Sequence, residues 1–247
     1  MGKVKPKRKS TLIDMTAMSD VTVLLLTFFM LTSTFLQKEP VTVITPSSVS
    51  QIKVPTSNVV TVLVGTTDVN GQEEGKIFLG ISGDEDPEMG GSEDVRRNAL
   101  RIAAQEYEKY TGKNPGITQS DYDRFAKLNI FGVPMAQMHE FLALKTEKQD
   151  EYLSDLDNPN VGIPLKEIVY TNSDGLRDIT NEFRIWMRAI NNAGNSNLSQ
   201  AIKSGEGIAV KADATTNYQT MHEVLDNLQT MKMNRFSVMT ALKSEQD

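Results

Sequence analysis

The stretch MTAMSDVTVLLLTFFMLTSTF (Met15–Phe35) places an acid, Asp20, at the head of the only long apolar run in the chain. Val21 to Leu36 carries no charge, and Met15 to Ser19 extends the uncharged stretch on the other side of Asp20. A bilayer core needs about 20 helical residues at about 1.5 Å each. Val21–Leu36 alone supplies about 24 Å by that measure, so the preceding turn and Asp20 are drawn in, and the segment reads as one membrane helix, Met15–Leu36. Upstream, KVKPKRK (Lys3–Lys9) holds five positive charges and no acid, which sets residues 1–14 in the cytoplasm. A signal peptide is the competing reading, but no small-x-small cleavage site follows and the chain passes into LQKEP.

Beyond that segment the chain changes character. It has 247 residues and a formal net charge of −6, so everything after the basic tail is strongly acidic. Such a body is repelled by phosphates, which argues against a nucleic-acid partner. Without cysteine there is neither a disulfide framework nor a thiolate ligand or nucleophile.

Residues 37–58 contain Pro40, Pro46 and Pro55 among Ser, Thr and Val and read as an extended linker. Val59–Val64 and Lys76–Ile81 read as strands around a Gly-rich turn. Asp68, Asn70 and Glu73 belong to that turn and lack the fixed ligand spacing of an EF-hand. After the acidic loop Ser82–Asp94, SEDVRRNALRIAAQEYEKY has helical periodicity with Val95, Leu100, Ala103, Ala104 and Tyr107 on one side. A second helix starts at Thr118, where Thr118 and Asp121 have capping-box spacing, and a third near Pro134, its Met and Phe stripe a core face. Lys145–Asn160 reads as irregular or as a frayed helix end. Asp174–Ile190 reads as a single amphipathic helix with Ile179, Phe183, Trp186, Met187 and Ile190 on one face. Gly207–Asp213 reads as a strand, Thr216–Met231 as a helix and Arg235–Leu242 as a closing strand.

A search for chemistry in this part returns little. His139 and His222 stand alone, without a second ligand at metal spacing. There is no G-x-S-x-G elbow, P-loop or G-x-G-x-x-G, so neither an enzyme nor a metal or cofactor site is expected. Asp20 is the exception, because an acid within a membrane helix costs at least about 2.5–3.5 kcal/mol. Desolvation penalises a carboxylate, which suits an acid in such surroundings to taking up and releasing protons. Thr16, Thr27 and Thr34 stand at i−4, i+7 and i+14 from Asp20 and share its side of the helix. A polar stripe on a lone span calls for a protein partner, since hydrocarbon cannot satisfy it. The bland reading of Asp20, a topological flank at the head-group margin, remains open on the residues alone.

IDMTAMSDVTVLLLTFFML resembles the membrane segment of the ExbD/TolR family, with Ile13, Thr16, Asp20, Val21, Leu25, Phe29 and Met30 in register and without a gap. Asp14 and Ala17 depart from the family's Asn and Pro. PVTVITP is similar to the family's V-x-V-x-L-P segment through Val41, Val43 and Pro46, with Thr45 where Leu is usual. Near the C-terminus, Ala212, Asp213 and Tyr218 resemble its A-D-x-x-x-x-Y signature.

The resemblance spans roughly residues 1–81 and 174–243 and leaves residues 82–173 as a mostly helical insertion. It implies a single-pass membrane helix plus a small α/β sandwich in the periplasm, residues 59–247, with Asp20 carrying protons for an inner-membrane motor. The partners it implies are an ExbB-like polytopic protein, a TonB-like periplasm-spanning protein and a second copy of the chain. A TolR-like role in envelope maintenance and a passive membrane-anchored binding protein are the alternatives. The insertion is expected to pack onto the domain without completing its sheet.

Overall fold

The computed structural model describes residues 15–32, 47–48, 55–69, 72–84, 86, 88, 91–172, 174–194, 196–212, 216–239 and 241–242. The chain divides into two compact units, Met1–Leu36 and Gln37–Asp247. The first contains helix α1, Met15–Thr32. Thr34, Val41, Val43, Pro46 and Asp213 lie outside the described residues.

The second unit is built on a β-hairpin whose strands are longer than the sequence suggests. Strands β2 (Val59–Val69) and β3 (Gln72–Ser82) pair antiparallel from Val59↔Ser82 to Val69↔Gln72. Val62, Leu63, Phe78 and Leu79 are all fully buried. Neighbours along a strand point to opposite faces, so both faces of this pair are covered. After helix α7 (Ser196–Ser204), strand β7 (Ile208–Ala212) lies parallel to β2 through Val60↔Ile208 to Val64↔Ala212. Helix α8 (Tyr218–Thr230) then returns the chain to β8 (Ser237–Met239), parallel to β7. The expected final strand is thus β8, followed by β9 (Ala241–Leu242), which pairs parallel with β1 (Ser47–Ser48). That pairing joins Ser47–Ser48 to Ala241–Leu242, almost the whole length of the unit apart in sequence.

Residues 82–173 correct one expectation. They hold α2 (Ser92–Thr111), α3 (Gln119–Ala126), α4 (Met138–Ala143) and α5 (Thr146–Ser154), as a helical segment should. They also supply β4 (Ile130–Phe131), which pairs with β3 through Leu79↔Phe131 and completes the five-stranded sheet of order β4-β3-β2-β7-β8. Two residues are too short to signal a strand, and β4 exists because β3 offers it a free edge. The joint is tight: the Ile163 N–H donates to the Ile77 carbonyl at 2.8 Å, and the Gly162 N–H to the Gly132 carbonyl at 2.8 Å. Buried Arg96 on α2 fastens the far end, donating from Nε to the Ile81 carbonyl at 2.8 Å and from Nη1 to that of Ala126 at 3.1 Å.

The α2 face comes out as read, with Val95, Leu100, Ala103, Ala104 and Tyr107 buried. At α3 the Asp121 carboxylate accepts from the Thr118 N–H at 2.8 Å, which is the expected capping contact. Lys145–Asn160 is more ordered than expected, because α5 buries Leu153 and Gln149.

Asp174–Ile190 is a second correction. Arg177–Thr180 forms strand β6, paired with β5 (Ile168–Thr171), and the helix, α6 (Glu182–Asn191), begins only after it. Local chemistry overrides the helical spacing: the Asn172 side-chain oxygen accepts from Asp174 and Leu176 N–H groups, and Gly175 takes φ +77° to turn the hairpin. Asn181 then caps α6, accepting from the Arg184 N–H at 2.8 Å. Ile179 consequently sits on β6, 45% exposed, opposite Val169. Phe183, Trp186, Met187 and Ile190 are buried as expected, with Trp186 stacked on Phe125 at 5.6 Å and tilted against Phe131 at 4.5 Å.

Candidate functional site

Helix α1 has no apolar stripe to bury, because it is apolar nearly all round. Ten of the fifteen large hydrophobic side chains described as exposed lie on it, from Leu25 at 50% to Leu31 at 86%. A helix of this kind belongs in a protein core or in hydrocarbon. Among the described residues no helix is long and apolar enough to cross a membrane. The eighteen residues of α1 measure about 27 Å against a hydrocarbon core of about 30 Å, and residues 33–36 of the expected span lie outside the described part.

Asp20 sits in the second turn of α1 and is exposed, as is Thr16. Around the helix axis Thr16 and Thr27 fall within about 40° of Asp20 at about 100° per residue, so the structure places these two on the acid's side. The third member of the expected stripe, Thr34, is not described. The Thr27 hydroxyl donates within the helix to the Leu24 carbonyl at 2.9 Å. Thr22 and Thr32 do the same, Thr32 to the Phe28 carbonyl at 2.8 Å and Thr22 to that of Ser19 at 2.8 Å. Such back-bonding satisfies a hydroxyl in an apolar medium without a partner and leaves its lone pairs to accept. The acid is the residue on this face that a self-contained helix cannot satisfy in hydrocarbon.

The α/β unit contains two acids with unusual surroundings. Asp121 is buried, and its Oδ2 accepts from the Thr118 N–H at 2.8 Å, the Thr118 hydroxyl at 2.7 Å and the His139 ring at 2.7 Å. Burial works to raise this carboxyl, but the Thr118 and His139 contacts outweigh it and hold it below the usual carboxylate value. His139 therefore joins α3 to α4, and His222 pairs with Asp226 on α8 at 2.9 Å. Among the described residues no cluster of three or more metal-ligating side chains occurs.

Glu182 is the acid that reading the sequence missed. It is 9% exposed, and its carboxylate accepts from the Met135 N–H at 2.8 Å. Within a single Asp174–Ile190 helix it passes for one more polar residue, and its place directly after the Asn181 cap emerges only in the structure. The available signal was its position four residues before Trp186, on the helix face that enters the core.

The described residues thus give an apolar helix bearing one acid and, as a separate unit, an α/β domain with its own core. Residues 6–124 match the family model Biopolymer transport protein ExbD/TolR, so this part of the chain is similar to that family. The match takes in α1 with Asp20, the β2–β3 hairpin, α2 and most of α3, and it ends before α4. No curated protein and no solved structure matches the chain.

Proposed function

We propose that the chain is the single-helix subunit of a proton-motive-force-coupled stator of the ExbD type, in which Asp20 carries protons. The observation behind this reading is Asp20 itself: a lone acid on a helix apolar nearly all round, inside the segment that matches the ExbD/TolR family model. On this reading α1 extends through Leu36 and crosses the inner membrane with its basic tail inside, beside an ExbB-like polytopic protein and a second copy of the chain. Each charge crossing 100 mV brings about 2.3 kcal/mol, so repeated protonation of Asp20 is an adequate energy input. The α/β unit, on the periplasmic side, hands the motion to a TonB-like protein, or to an envelope-maintenance client in the TolR-like variant. The role is mechanical, not enzymatic.

Asp20→Asn tests the reading. The amide is nearly isosteric and removes only proton exchange, so the variant is expected to insert and to co-purify with its polytopic partner. Proton leak in reconstituted vesicles and client energisation should both vanish. Full activity in this variant would leave a passive anchored binding protein in place of a motor.

A further inference from the structure

Glu182 lies where four pieces of the fold meet. It opens α6, its carboxylate is held by the Met135 N–H of the turn after Pro134, Tyr107 of α2 stands beside it, and it lines a cleft closed on the other side by residues 164–169. That cleft, of about 420 Å³, opens to solvent between the C-terminal end of α2 and the segment leading into β5. Its other titratable and charged lining groups are Tyr107, Tyr110 and Lys113 from the α2 side and Lys166 and Glu167 from the opposite wall. The Pro134–Gln137 turn brings no ionisable side chain.

The cations on α6 are engaged elsewhere. Arg184 donates to the Asn227 side-chain oxygen at 2.6 Å, and Arg188 to Glu106 at 3.0 Å and the Thr180 hydroxyl at 3.1 Å. Among the described residues no cation pairs with Glu182, so its ionised form would be a buried charge with one backbone N–H for company.

We propose that Glu182 is a proton-operated latch on the cleft between α2 and the 164–169 segment. Protonated, it stays buried against Met135 and the start of α6 is seated. Ionised, it draws water in through the cleft, and the seat of α6 on the Pro134–Gln137 turn loosens. The cleft already gives water a route to the carboxyl, and the alternative, an unpaired dry carboxylate, is the costlier state. Burial raises this carboxyl from 4.5 to about 7, against the opposing pull of the Met135 N–H. The latch therefore works across neutral pH, independently of the role of Asp20.

The chain carries its own reporter. Trp186 is its one tryptophan, fully buried one turn beyond Glu182. In the full chain in mild detergent, Trp186 emission and its quenching by iodide are expected to titrate with a midpoint near pH 7. Glu182→Gln keeps an acceptor for the Met135 N–H and cannot ionise, so its emission should stay at the low-pH value throughout. His139→Gln should keep the wild-type transition, because the His139 ring contacts Asp121 and not Glu182.

A flat wild-type profile, an unchanged transition in Glu182→Gln, or its loss in His139→Gln would each overturn the proposal. Should Glu182→Gln not fold, hydrogen exchange at the Met135 amide of the unaltered chain decides. Protection corrected for the intrinsic rate must fall through the same interval, and constant protection overturns the latch.

Discussion

Asp20 and Glu182 are acids of opposite legibility. Asp20 stands out because charge is rare in an apolar run, whereas Glu182 looks like an ordinary surface acid until its neighbours are assembled. Asp20→Glu keeps titration but shifts the carboxyl by one methylene, so partial proton leak is the expected result in the vesicle assay. Thr27→Val removes a hydroxyl that bonds only within its own helix in the structure. Hydroxyls in membrane bundles contribute about 0.6 kcal/mol on average, so co-purification should weaken by no more than a few-fold. For Glu182 the sign follows from its raised affinity for the proton. Folded chains hold that proton up to about pH 7 and unfolded ones only to about 4.5, so stability is full below about 4.5 and is lost as pH rises to about 7. At about 1.4 kcal/mol per tenfold change in proton affinity, the displacement amounts to about 3 kcal/mol. Denaturant unfolding at pH 5 and pH 8 should show Glu182→Gln gaining on the wild type at the higher pH. Equal differences at both would mean that Glu182 does not carry the effect.

Among the elements, β4 and the β5–β6 hairpin show what periodicity omits. β4 is two residues long and becomes a strand by meeting β3. Gly132, immediately after it, has no room for a side chain: a Cβ there would press on the Phe78 ring and come to 2.9 Å from the Ile77 carbonyl oxygen. Gly132→Ala should therefore cost about 1–3 kcal/mol, the usual range for overpacking, read as a lowered denaturant midpoint with little change of slope. The Asp174–Ile190 misreading has a different origin. Ile179 and Phe183 are four apart, which mimics one helix face, but the Asn172–Gly175 turn and the Asn181 cap divide the segment. Both signals were present in the sequence, and the apolar spacing outweighed them in the reading. Asn181 also donates to the Asn227 side-chain oxygen at 2.8 Å. Asn181→Ala should thus cost more than the roughly 1 kcal/mol of an ordinary cap, because it removes that buried bond as well.

For the molecule as a whole, the segment expected to be an appendage is part of the framework. Among the described residues, sixteen of the thirty-eight side chains in the core cluster come from residues 83–172: five from α2, eight from Phe125–Leu142 and three from Leu153–Ile163. Replacing residues 83–172 with a short Gly/Ser linker would uncover Phe78, Trp186 and the β3 edge together. The shortened chain is expected to show no cooperative unfolding and to bind hydrophobic dyes. A sharp transition in circular dichroism on denaturation would restore the view that the segment is dispensable.

Local sequence determined the solitary apolar helix with its acid, the β2–β3 hairpin, the α2 face, the Thr118–Asp121 cap and the β7–α8–β8 run. Each rests on contacts within a few residues or on a periodicity long enough to resist competing signals. Tertiary structure alone decided that Phe131 lies beside Leu79, that Ser47 pairs with Ala241 and that Glu182 is buried against the Met135 N–H. Those outcomes depend on partners at least 47 positions distant along the chain. A strand edge or a buried carboxyl is defined by what covers it, and no stretch of neighbouring residues carries that information.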